Sequence, residues 1–183
     1  MGPANTTAGV GLFAVHQLPV EGLKLTGYVK TGQLENKFET ALAGKTHDFE
    51  KSAVYWGAHL GVNYDWRATA KLTGRAYVSY FWDGREGEDH FVAGTDGMKG
   101  TTFSYDALSA HRVEVGNLFT YDYSLNLKPY FGISVEQTFG AKAQGSLKDE
   151  YGKLVLRSSD LDGTTGVISA GWQYRAPDQS FEF

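Results

Sequence analysis

The side chains best suited to chemistry in this sequence are one acidic cluster and five scattered histidines. The cluster comprises Asp83, Glu86, Glu88, Asp89 and His90. Carboxylate oxygens are the ligands that hard cations such as Ca²⁺ prefer, but the spacing matches no EF-hand loop. We therefore interpret this segment as a solvated loop and predict no metal site.

The histidines give no stronger indication of catalysis, because they are spread along the chain without a fixed relation to acids or nucleophiles. No Gly-x-Ser-x-Gly elbow, phosphate-binding loop or His-Glu-x-x-His sequence is present. We therefore predict no catalytic residue, no enzyme activity and no cofactor. The histidines are His16, His47, His59, His90 and His111.

The composition excludes further classes of protein. The chain has no cysteine, so disulfides and thiolate zinc sites are impossible. A net charge of −4 gives no basic face for nucleic acid. No stretch approaches the roughly 18 apolar residues of a transmembrane helix. Glycine (23 residues) and aromatic residues (14%) are abundant whereas proline (4) is scarce, which favours long strands.

The dominant pattern is strict alternation of apolar and polar residues, which indicates β-strands because their side chains alternate between two faces. Between Trp56 and Trp66 every even position is apolar or aromatic, and the odd positions are mostly small or polar. Seven strands are predicted, with the start of another at 180. Their ranges are 9–18, 22–34, 53–65, 68–82, 106–122, 125–140 and 164–175.

These strands predict an all-β, antiparallel, up-and-down transmembrane β-barrel. Such strands need about 9–11 residues to cross the bilayer, and aromatic girdles border their apolar band. Connections alternate between short and long, as in outer-membrane barrels, whose short turns are periplasmic and whose long loops lie outside. The long connections, predicted to be cell-surface loops, are 35–53, 83–105 and 141–162.

The alternation also predicts which side chains face lipid and which face a wet lumen. The predicted lipid-facing residues are Trp56, Leu60, Val62, Leu72, Val78, Val113, Val115, Phe131, Ile133, Val135, Ile168 and Trp172. The predicted lumen-facing residues are Lys24, Lys30, Lys71, Arg75, Arg112, Glu114, Lys128, Tyr130 and Glu136. Two roles remain open for the charged ones: hydrating a pore that holds a passing segment, or filling the lumen with static ion pairs.

Three runs resemble the C-terminal translocator domain of autotransporters, the proteins of type V secretion. They read YWGAHLGVNYDW, SAHRVEVGNLFTYDY and PYFGISVEQTFGAKAQG. The family commonly shows an arginine-containing strand followed by Pro-Tyr-x-Gly-x-x-x-Glu-x-x-Phe. The matching residues here are Pro129, Tyr130, Gly132, Glu136 and Phe139.

The resemblance implies a barrel of about twelve strands in the bacterial outer membrane. This chain is then expected to be a fragment, truncated at both ends. Its expected role is to anchor in outer-membrane lipid and let its own N-terminal passenger reach the cell surface. The expected partners are lipid, the passenger or linker segment and, by family analogy, the barrel assembly machinery.

Two other functions remain open. A free-standing small outer-membrane barrel could act as an adhesin or anchor, because about eight strands close a filled barrel. A soluble lipocalin-like binder would invert the two faces and line a cavity with the apolar residues.

Overall fold

The computed structural model describes residues 4–42, 45–92, 100–156 and 160–175, and their regular structure is entirely antiparallel β. No helix long and apolar enough to cross a membrane occurs in this described part of the chain. The predicted all-β, antiparallel class is confirmed. The strand predicted to begin at Ser180 lies outside the described residues.

A long sheet of seven strands forms the body of the molecule, with spatial order β1-β2-β3-β4-β7-β8-β11. Its strands are longer than those of most soluble sheets, which average about 5–6 residues. The bounds are β1 (Ala4–Gln17), β2 (Leu23–Leu42), β3 (Lys45–Arg67), β4 (Leu72–Arg85), β7 (Leu108–Tyr121), β8 (Leu127–Phe139) and β11 (Gly163–Tyr174).

Short turns join the strands at one end of this sheet. Between β1 and β2, the Leu18 N–H donates to the Leu23 carbonyl at 2.9 Å. Gly22 in this turn has φ +81° and packs against β3, where an added Cβ would lie 2.2 Å from the Asp65 carbonyl oxygen. Glycine meets both requirements at no steric cost, so the short turn can pack tightly against the neighbouring strand.

The opposite end carries much more structure than the predicted loops. β2 and β3 stay paired as far as Leu42 and Lys45, so the predicted loop 35–53 is largely a continuation of both strands. The predicted loops 83–105 and 141–162 contain a second sheet with order β10-β9-β6-β5. Its strands are β5 (Glu88–Val92), β6 (Thr101–Tyr105), β9 (Gly145–Lys148) and β10 (Lys153–Leu156).

The described strands do not close into a barrel. Within the described residues, β1 pairs only with β2 and β11 pairs only with β8. Five strands lie between these two edges and every neighbouring pair is antiparallel, so β1 and β11 run in the same direction. Each begins at the end of the sheet that carries the long connections.

The long sheet has no hydrophobic core beneath it. Among the described residues, the buried apolar side chains are Ala53 and Ala141, each 3% exposed, and no large side chain is fully buried. A soluble sheet usually buries one face against another layer. Here both faces of the long sheet remain available to their surroundings.

Candidate functional site

One face of the long sheet carries ion pairs between neighbouring strands, and we call it the charged face. Lys24, Asp65 and Arg75 meet on β2, β3 and β4. Lys24 Nζ donates to Asp65 Oδ2 at 2.7 Å, and Arg75 Nε donates to Asp65 Oδ1 at 2.6 Å. Asp65 and Arg75 are directly opposite in the register, which places their side chains on the same side of the sheet.

Three further ion pairs lie on the same face. Lys30 contacts Asp83 at 3.2 Å, and Arg112 contacts Glu136 at 3.0 Å. The third pair, Lys128 with Asp122, has a separation of 2.9 Å. Five of the six lysines and arginines that were predicted to face a lumen therefore have an acidic partner, which favours the static ion-pair network; Lys71 is the sixth.

Near the short turns the charged face borders a cleft of about 1010 Å³. Its lining includes residues from all seven strands of the long sheet. Since the first and last strands both contribute, the sheet must curve around this face. Each strand contributes at least one polar residue to the lining; in spatial order these include Gln17, Lys24, Asp65, Arg75, Thr120, Lys128 and Gln173.

Further from the short turns, a row of aromatic side chains crosses the strands on the charged face. Tyr28 stacks on His59 with ring centroids 5.2 Å apart, and His59 stacks on Phe81 at 4.6 Å. The Arg112 guanidinium lies over the Phe81 ring at 4.2 Å, which is a cation–π geometry. Phe13 is opposite Tyr28 in the register and extends the row to β1. The charged face therefore also carries a row of stacked aromatic side chains, which the sequence pattern alone had indicated only as polar positions.

The other face of the long sheet is apolar, and we call it the apolar face. Leu60 is 61% exposed, Ile133 51% and Ile168 73%, although all three are large aliphatic side chains. Val62, Val78 and Val115 follow one another across β3, β4 and β7, so the aliphatic surface is continuous between strands. Solvation of such a surface by water is costly, at about 25 cal/mol per Å².

Aromatic clusters border the apolar face at both ends. Near the long connections, Trp56 and Trp82 lie edge to face with centroids 6.5 Å apart. Near the short turns, Trp66 and Phe119 lie edge to face at 5.8 Å. Aliphatic residues such as Leu60 occupy the band between the clusters. This arrangement is typical of the girdles of membrane barrels.

The three histidines whose side chains are described, His16, His59 and His111, lie apart from one another. His111 belongs to the aromatic cluster near the long connections, where its Nδ1 lies 2.6 Å from the Tyr80 hydroxyl. His59 is part of the aromatic row, and His16 is exposed on the apolar face, opposite Leu25 in the register. The side chains of His47 and His90 lie outside the described residues.

The register places the predicted lipid-facing residues together on the apolar face and, with one exception, the predicted lumen-facing residues together on the charged face. The exception is Lys71. It precedes β4, which begins at Leu72, and is exposed in the short turn that follows Arg67. The turn is longer than expected, so the register does not fix the direction of the Lys71 side chain, and its lumen-facing position stays a prediction.

The residues of β8 that match the autotransporter sequence pattern lie on both faces of the sheet. Pro129 and Phe139 lie on the apolar face, whereas Tyr130, Gly132 and Glu136 lie on the charged face. Tyr130 packs over Gly171 of β11, and a Cβ at that glycine would lie 2.6 Å from the tyrosine hydroxyl oxygen. The strand therefore contributes both to the apolar surface and to the packed charged face.

Of the acidic partners, Glu136 was predicted to face the lumen, whereas Asp65, Asp83 and Asp122 were not among the predicted residues. Asp83 was assigned to a loop, but β4 extends to Arg85 and brings Asp83 beside Lys30. Glu88 contacts Arg85 at 3.4 Å. Within the described residues, no three histidine, aspartate or glutamate side chains are grouped closely enough to hold a metal ion.

Comparison of the chain with protein-family models gives no match, and comparison with curated proteins gives none either. The antiparallel sheet with one charged and one apolar face is therefore the firm basis for assigning a role.

Proposed function

We propose that this chain forms part of the wall of a β-barrel in a bacterial outer membrane. The observation that supports this proposal most strongly is the distribution of side chains over the two faces of the long sheet. Large aliphatic residues such as Leu60 and Ile133 are half exposed or more on one face. Ion pairs and a polar cleft occupy the other. If lipid covers the apolar face and water covers the charged face, each face has a solvent that suits its side chains.

The dimensions agree with this placement. Trp56 and Trp66 are ten residues apart on β3 and belong to the opposite aromatic clusters. At about 3.3 Å per residue and a tilt near 45°, ten residues rise roughly 23 Å. That is close to the height of about 25 Å for the apolar band of an outer-membrane barrel.

The two ends of the sheet are as unequal as those of outer-membrane barrels. Short turns would lie in the periplasm, and the β2–β3 hairpin with the second sheet would lie outside the cell. The segments 35–53, 83–105 and 141–162 would then be surface structure, and their described residues include paired strands.

Closure of the barrel requires additional strands. Direct pairing of β11 with β1 would be parallel, because both run in the same direction. An antiparallel barrel therefore needs an odd number of further strands between them. If two copies of the chain in the same membrane orientation formed one barrel, β11 of each copy would pair with β1 of the other, and both pairings would be parallel.

We further propose that the complete barrel is an autotransporter translocator that lets an N-terminal passenger reach the cell surface. The support is the resemblance of β3, β7 and β8 to that family, together with the ion pairs and the polar cleft on the charged face. Its partners would be outer-membrane lipid, the passenger segment and the barrel assembly machinery. Five further strands would give the family's barrel of about twelve strands.

A free-standing small outer-membrane barrel is the second candidate, because a single further strand would also close the antiparallel sheet. About eight strands make a barrel whose interior side chains can fill it. The soluble, lipocalin-like candidate is disfavoured, since the curved charged face would have to become the outer surface.

The position of the N-terminus of the full-length mature protein tests the secretory role. An epitope tag placed there should be digested when protease is added to intact cells, because a translocator exports that end. A matched tag in the short turn 68–71 should be protected until the outer membrane is permeabilised. An N-terminal tag that is equally protected would contradict the secretory role and support a free-standing barrel whose additional strand precedes β1.

A further inference from the structure

The second sheet has one edge strand, β10, that is open to a partner. Within the described residues β10 pairs only with β9, and its four residues are all exposed. Proteins usually protect such edges with charges, proline or bulges. β5, at the opposite edge, carries Glu88 and Asp89. The stretch Leu154–Leu156 has no charge and no proline.

An uncompensated pair of positive charges lies at the start of this edge. Lys153 of β10 is directly opposite Lys148 of β9, and both side chains are exposed. Neither lysine forms an ion pair with an acid within the described residues. Like charges directly opposite each other destabilise a strand pair. An acidic side chain beside Lys153 would relieve that repulsion.

An apolar row on the other side of the second sheet also ends at β10. Leu154 is opposite Leu147, which in turn is opposite Phe103 of β6. Leu154, at the end of the row, is 60% exposed. A further strand with an apolar residue beside Leu154 would continue the row.

We propose that β10 binds an extended peptide segment by strand addition, with the partner antiparallel and of the pattern apolar–polar–apolar–acidic. The acid lies beside Lys153, and the two apolar residues lie beside Leu154 and Leu156. Backbone hydrogen bonds supply affinity in such complexes, and the alternating side chains supply specificity.

A second copy of this chain fits the edge less well. In-register antiparallel pairing of β10 with itself places Leu156 opposite Lys153 and brings no acid to the lysine pair. The favoured occupant is therefore a different peptide segment that carries an acidic residue. The proposal concerns the second sheet alone and does not depend on membrane insertion or secretion.

Fluorescence anisotropy of the full-length protein, in the medium in which it is isolated, tests this proposal. The probe is the labelled peptide acetyl-Thr-Leu-Thr-Leu-Glu-Thr-amide, and its control has lysine in place of glutamate. We expect the acidic peptide to bind about tenfold more tightly than the basic one. Lys153→Glu should reverse that preference, and Lys153→Gln should remove it. Lys71→Glu, a matched charge change in a short turn at the other end of the sheet, should leave it unchanged.

Three results would overturn the proposal. The first is the absence of saturable binding by the acidic peptide to the unmodified protein. The second is equal binding of a peptide whose backbone nitrogens are methylated, because strand addition needs those N–H groups. The third is specific cross-linking of β10 to β10 of a second copy, which would show that self-association uses this edge.

Discussion

Asp65 and Arg75 lie directly opposite each other on β3 and β4, and Arg75 Nε donates a hydrogen bond to Asp65 Oδ1 at 2.6 Å. Lys24 of β2 reaches the same carboxylate. One acid therefore ties three consecutive strands together on the charged face. The carboxylate side chain is 31% exposed, so water partly screens these pairs.

Asp65→Asn should lower the free energy of unfolding by about 1 kcal/mol, because both cations lose their ion-pair partner while solvent still reaches them. Urea titration of the full-length protein in lipid vesicles measures this change. The effect should shrink in high salt. Asp89→Asn, on the exposed edge of the second sheet, is the control and should leave stability nearly unchanged.

Two glycines of β11 should respond differently to the same substitution. A Cβ at Gly171 would lie 2.6 Å from the Tyr130 hydroxyl oxygen, whereas a Cβ at Gly166 would contact nothing within 4 Å. Gly171→Ala should therefore cost about 1–3 kcal/mol through overpacking. Gly166→Ala should be close to neutral. Tyr130→Ser should recover most of the loss at Gly171 in the same unfolding measurement, and a failure to recover it would contradict the packing account.

The contact of Arg112 with Phe81 should contribute measurably to stability. A double-mutant cycle with Phe81→Leu and Arg112→Met should give a coupling free energy of about 0.5–1 kcal/mol, as expected for a partly exposed cation–π pair. Because Arg112 also pairs with Glu136, a second cycle with Glu136→Gln separates the two contributions. A coupling of zero between Arg112 and Phe81 would show that the stacked geometry has no energetic role.

Val62 and Asn63 are adjacent on β3, and a lysine substituted at each should have a different effect on stability. Val62→Lys should destabilise the membrane-inserted protein by about 2–4 kcal/mol, because it would place a charge in hydrocarbon. Asn63→Lys lies at the same depth but on the charged face, so its cost should be much smaller. Unfolding in vesicles provides the comparison. An equal cost at both positions would argue against one lipid-facing and one wet side.

The two faces could be predicted from the sequence because side-chain direction in a strand depends only on parity. Leu60 and Val62 were assigned to the same side without knowledge of which strands pair. The ion pairs could not be predicted, because they depend on register. Asp65 meets Arg75 only if the intervening turn has its observed length. The strand predicted to begin at 68 begins at Leu72, which shows how uncertain that length is from sequence.

The second sheet escaped prediction for a different reason. Its strands are short, and β9 reads Gly-Ser-Leu-Lys, which shows no alternation. The extension of β2 and β3 to Leu42 and Lys45 was also missed. A hairpin that continues past the apolar face needs no alternating apolar residues, so its sequence resembles that of a loop. Backbone pairing between the strands then determines the structure.

The orientation of the two faces can be measured directly by spin labelling, since the chain has no cysteine of its own. Single cysteines at His59, Leu60, Val62 and Asn63 would carry the label in the full-length protein in lipid bilayers. We expect high oxygen and low nickel-chelate accessibility at Leu60 and Val62, and the reverse at His59 and Asn63. Low accessibility to both reagents at Leu60 and Val62, with His59 and Asn63 open to water, would mean that the apolar residues form an interior and would contradict the membrane account.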